Sequence, residues 1–184
     1  NNVLEAQVAY VYFEAGADNS QLIGVHVSSN LGIITNANDI LIKRCKIDYD
    51  ISVEYNNTDI TVGNNYFSNT ANSTSSAIYV TNWWFPSNFI FDNNICKRTL
   101  LLTNGSTIYN AVECNNNVFD CPAISGKPSI QMSVSSFKNN ILKTNAATVN
   151  INNNVSNSNV SYNISSSATG QFGTDFNNIV VTDM

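Results

Sequence analysis

Short runs of alternating apolar and polar residues recur along the chain, and each run ends on the same polar corner. Ile60-Thr-Val62 leads through Gly63 into Asn64-Asn65 and then Tyr66-Phe67. Phe89-Ile-Phe91 leads through Asp92 into Asn93-Asn94 and Ile95-Cys96. The same figure returns at Val112–Phe119, Ser135–Leu142 and Val149–Ser156. Aligned on the second Asn, the corner falls at positions 65, 94, 117 and 140, and Cys45 holds it in an earlier segment, Ile40–Ile47. The next member is either Asn154 or Asn163; the latter lies one full repeat of about 23 residues beyond Asn140.

Alternation with a period of two is the mark of a strand with one buried face. A further apolar run precedes each such strand: Ile33-Ile-Thr35, Ile51–Tyr55, Ile78-Tyr-Val80, Leu100–Thr103 and Ile130-Gln-Met132. A third short strand follows each Asn pair. No stretch of helix length carries apolar residues at helical spacing. Three short strands per repeat, separated by polar turns, predict an all-β solenoid of about six to seven triangular coils. The asparagines then have a purpose. Asn tolerates the left-handed backbone that a tight corner needs. Stacked about 4.8 Å apart, amides also donate and accept along the stack, an Asn ladder.

Composition narrows the partners. Asn occurs 33 times in 184 residues, whereas charged residues make up 11% and the net charge is −5. Amides and hydroxyls therefore cover much of the surface. Nucleic acid needs a basic stripe to neutralise phosphates, and the eight Lys and Arg are scattered. No apolar run approaches the roughly 20 residues that span a bilayer, so membrane insertion is not expected. The beginning, Asn1–Tyr10, lacks the charged start and cleavage site of a leader, which reads as a mature fragment or trimmed chain. Cys45, Cys96, Cys114 and Cys121 have no metal-binding spacing and occupy apolar positions. They are either buried free thiols or, for Cys114 and Cys121, a bridge.

The recurrent Ile-x-[Val/Phe]-x-Asn-Asn-x-[Phe/Ile/Leu] unit, over about residues 20–165, resembles the right-handed parallel β-helix proteins, the architecture of pectate lyases and many secreted polysaccharide-active proteins. The tail 166–184 is similar to the capping ends of such domains. The resemblance implies a single-stranded right-handed parallel β-helix forming one domain over 1–184, secreted or at the cell surface. It implies a monomer that binds, and in some members processes, a polysaccharide. The alternatives are a non-catalytic structural or adhesive stalk, and a lyase with a calcium-assisted β-elimination site.

In such proteins the ligand groove runs along the first wall and the turn feeding it. There Asp48 and Asp50 precede Ile51-Ser-Val53, and alternation turns Glu54 outward, three oxygen donors suited to Ca²⁺ or else plain solvated acids. Lys97 and Arg98 occupy the matching turn roughly 10 Å along the stack. By the resemblance, one of them is the base beside a metal-neutralised uronate; otherwise both are surface cations. The inverting glycosidases of this architecture need an Asn-x-Asp, an Asp-Asp pair, a Gly-His-Gly and an Arg-x-Lys; the second and third do not occur, Arg44-Cys45-Lys46 falls before Asn57-Thr58-Asp59 rather than after it, and Asn57-Thr58-Asp59 reads as a turn. The loop Thr81–Asn88 carries Trp83, Trp84 and Phe85 before a Pro, with Tyr79 on the preceding strand. Those rings are either a stacking platform for sugars or a plug on the neighbouring loop.

Overall fold

A computed structural model describes residues 6–29, 32–53, 58–68, 76–80, 87–98, 100–102, 112–121, 130–133, 135–144, 149–152, 160–165 and 179–180. Every element among them is a short strand, paired in parallel with its counterparts in adjacent turns of the chain. Ile33–Thr35 of the first wall is followed by Ile40–Lys43 of the second and Lys46–Ile47 of the third. The next turn repeats the order with Ile51–Val53, Thr58–Gly63 and Tyr66–Phe67, and the next with Ile78–Val80, Ser87–Asp92 and Ile95–Cys96. The protein is thus a parallel β-solenoid.

The walls differ in length. The second holds seven strands and the third nine, because Ala6–Val8 and Ile179–Val180 add a strand at either end. The first wall is two sheets, of four and three strands, parting between Ile78–Val80 and Leu100–Leu102. The strand pattern alone gave no hint of that break.

Alternation puts like on like. Register carries Ile40 onto Ile60, Ile60 onto Phe89 and Phe89 onto Val112, and all four are buried. In the third wall Val27, Ile47, Phe67, Cys96, Phe119 and Leu142 form a second inward file. Rings from the two walls meet in the interior: Phe91 and Phe119 stack with centroids 6.3 Å apart, as do Phe119 and Phe137. Each buried Phe contributes roughly 1.5–3 kcal/mol of transfer free energy. Cys45, Cys96 and Cys114 are buried free thiols, so Cys114 forms no bridge to Cys121. Burial pushes the Cys114 thiol well above the usual range, which makes it inert packing rather than a nucleophile.

The paired asparagines divide two tasks between them. The first of each pair takes the left-handed backbone, with φ of 55° at Asn64, 54° at Asn93, 58° at Asn116 and 56° at Asn139. The second is buried and builds the ladder: Asn65, Asn94, Asn117, Asn140 and Asn163. Asn117 is typical. Its Oδ1 accepts from the Asn94 backbone N–H at 2.8 Å and from Asn94 Nδ2 at 3.2 Å. Its Nδ2 donates to the Phe91 carbonyl at 2.9 Å and to Asn140 Oδ1 at 3.1 Å. Asn163, not Asn154, continues the file beyond Asn140, and Asn154 lies outside the described residues. Cys45 begins it, its N–H donating to Asn65 Oδ1 at 2.9 Å.

Gly24 precedes the first of these corners with φ 72°, so of the seven left-handed residues described at this corner between the second and third walls, five are Gly or Asn. The exceptions are Arg44 at 56° and Tyr162 at 60°. A side chain other than Gly, Asn or Asp costs about 1–2 kcal/mol in that conformation.

Candidate functional site

The corner between the second and third walls opens into a groove of about 520 Å³. It crosses four coils and is lined by Gly24, His26, Arg44, Lys46, Asn64, Tyr66, Asn93 and Ile95, with Val25, Cys45 and Asn65 beneath. Its construction follows from the corner. The ladder residue points inward, so the residue after it must point outward on the third wall. That rule sets His26, Lys46, Tyr66 and Ile95 in one file, each paired in register with the next. The file runs on through Val118, Ile141 and Ile164. Tyr66 is 37% exposed, Ile95 44% and Ile141 40%. Large apolar side chains thus face solvent in a straight row of known spacing, and Asn64 and Asn93, joined by a hydrogen bond between their amides, edge it.

A second outward file lies two residues on. His26 Nε2 is 2.7 Å from Asp48 Oδ2, and Ser68 Oγ donates to Asp48 Oδ1 at 2.6 Å. Asp48 is thereby held between its two neighbours along the stack. Partial burial pushes its carboxyl up, but the hydrogen bonds from Ser68 and His26 and the fields of His26 and Lys46 outweigh that, and the net shift is downward. Further along, Lys97 Nζ lies 3.3 Å from Asp120 Oδ2, a half-exposed ion pair worth under about 1 kcal/mol.

The residues singled out in the sequence are distributed differently from expectation. Arg98 is no surface cation: it is fully buried, its Nη1 donating to the Asp48 carbonyl. Its guanidinium carbon lies 5.6 Å from the centroid of the Tyr49 ring. Burial pushes its pKa down, against the attraction of Asp50. Lys97, its neighbour in sequence, turns to Asp120 instead. Arg98 therefore ties turns of the solenoid together, and the two cations do not face a common groove.

Of the expected calcium trio, the two described members are engaged elsewhere. Asp48 is committed to His26 and Ser68. Burial raises the Asp50 carboxyl despite the nearby Arg98, and Asp50 packs against Gly32. Glu54 lies outside the described residues. No three His, Cys, Asp or Glu side chains group together as a metal site among the described residues. Trp83, Trp84 and Phe85 also lie outside them. Tyr79 is placed by its backbone alone, register-paired with Ser52 on the first wall.

In the sequence Arg44 and Lys46 stand out only as an Arg-x-Lys out of order and His26 only as a lone outward histidine; nothing there groups them with Tyr66. Two signals were there: the apolar residue after each Asn pair occupies an outward phase, and Arg44 stands where the corner favours Gly or Asn. Searched against models of known families, curated proteins and solved structures, the chain matches none. Its class is therefore defined by the strand arrangement itself: a parallel β-solenoid with a buried Asn ladder and a groove beside it.

Proposed function

We propose that this solenoid binds an extended polysaccharide outside the cell or at its surface, holding the chain in the groove beside the ladder. The observation that carries the reading is the half-exposed Tyr66 ring, flanked by the amides of Asn64 and Asn93 and continued by an outward row of aliphatic side chains. Aromatic faces stack on the C–H faces of sugars, and amides hydrogen-bond their hydroxyls. The row from Tyr66 to Ile164 spans five strands, about 19 Å at the usual strand spacing, enough for several sugar units in line. An amide-covered surface with few charges suits a hydrated, hydroxyl-rich polymer over most of its area.

A glycan array followed by titration calorimetry tests the reading. Tyr66→Ala should weaken the best binder at least tenfold without lowering the melting temperature by more than a few degrees, because the ring faces solvent. An array that retains no glycan, or a Tyr66→Ala variant that binds as tightly as the parent, overturns it.

A further inference from the structure

We propose that the glycan in this groove carries anionic substituents, sulfate or carboxylate, which dock over the segment Arg44–Lys46. The proposal rests on the polysaccharide-binding reading and goes on to name the class of polymer. Arg44, Lys46 and His26 all line the groove, and among the described residues no Asp or Glu does. In a chain of net charge −5 with only eight Lys and Arg, that is a local reversal of sign. Lys46 and His26 are register partners, so their side chains stand on adjacent strands of one wall. Asp48 approaches from the neighbouring file, bonds His26 and lies in the field of Lys46, so Arg44 leads the positive side of the groove. Arginine presents a planar fork of donors that matches sulfate and carboxylate oxygens.

The backbone supplies the independent argument. Arg44 holds a left-handed conformation at φ 56°, at a corner where Gly24, Asn64, Asn93, Asn116 and Asn139 stand in other coils. Asn or Gly would relieve that strain, yet the position holds an exposed Arg that lines the groove. Tyr162 keeps the same conformation away from the groove, so it is the strain at Arg44 together with its place in the groove lining that points to a ligand.

The experiment compares matched polymers: dextran sulfate against dextran, and polygalacturonate against its methyl ester, by affinity electrophoresis and calorimetry. The parent should prefer the charged member of a pair at least tenfold, with the preference shrinking as salt rises. Arg44→Asn should lose at least fivefold in affinity for the charged polymer while melting at a higher temperature than the parent. A variant with one cation fewer on the second wall, Lys138→Ala, should bind as the parent does. Equal binding to both members of each pair overturns the anionic assignment and leaves polysaccharide binding standing. No binding to any polymer at all, with an empty glycan array, overturns both. Undiminished binding by Arg44→Asn, or an equal loss in Lys138→Ala, also overturns the assignment, since attraction would then belong to overall charge.

Discussion

Replacing Asn117 by Leu should separate the two tasks that adjacent asparagines perform. Leu is close to Asn in size but can neither donate nor accept. The substitution strips the partner from the buried Asn94 N–H, which otherwise reaches Asn117 Oδ1 at 2.8 Å. It also removes the Nδ2 donor to the Phe91 carbonyl at 2.9 Å. Asn94 Nδ2 keeps the Val62 carbonyl, and Asn140 Oδ1 keeps the backbone N–H of residue 117, so those two groups are only weakened. One orphaned donor and one orphaned acceptor, each costing about 1–3 kcal/mol, give a loss of roughly 2–6 kcal/mol. For a chain of this size that corresponds to a fall in melting temperature of about 4–24 °C. The control is the preceding residue. Asn116 is exposed, has φ 58°, and donates its amide to Asp92 Oδ1 at 2.7 Å. Asn116→Gly keeps the left-handed corner and gives up only two solvent-exposed hydrogen bonds, that one and the one its Oδ1 accepts from Asn139 Nδ2 at 3.1 Å, so it should cost much less, about 1 kcal/mol. Thermal and urea unfolding followed by circular dichroism measure both. Equal losses in the two variants would refute the division of labour, and with it the claim that buried amide satisfaction holds the corners together.

Gly32→Ala should destabilise by several kcal/mol, about 2–4, because an added Cβ would lie 2.1 Å from the Asp50 carbonyl oxygen at a backbone φ of 58°; a soluble variant melting within a degree or two of the parent would contradict that packing. Asp48→Asn should flatten the acid limb of the stability curve. The folded carboxyl sits below its ordinary value of 3.8, so between the two values the unfolded chain binds more protons. The parent thus loses this contribution as pH falls below about 4, and the variant has none to lose; identical acid limbs would refute the assignment. Arg98→Ala should be far more damaging than Lys97→Ala, by about 2 kcal/mol or more, since Arg98 is buried on the Asp48 carbonyl and the Tyr49 ring while Lys97 holds a half-exposed pair; comparable unfolding midpoints would contradict the burial of Arg98.

The fold was legible because a solenoid repeats one local solution, and repetition shows in a single sequence. Alternation at Ile60/Val62 and Phe89/Phe91 declares a buried face, and the Asn pair in fixed phase declares a stacked corner. Even the choice of Asn163 over Asn154 follows from the period. What stayed hidden were contacts between residues with no fixed spacing. The break in the first wall, the meeting of His26 with Asp48 across 22 positions and the burial of Arg98 beneath Asp48 across 50 all depend on how turns of unequal length superpose. Lys97 and Arg98 are adjacent in sequence and chemically alike, yet one reaches Asp120 at the surface and the other is sealed inside. The groove belongs to the same class of fact. Local pattern says that Tyr66 and Lys46 point outward, because backbone alternation is a property of each strand. That they and Arg44 share one concavity is decided only by the stacking of coils.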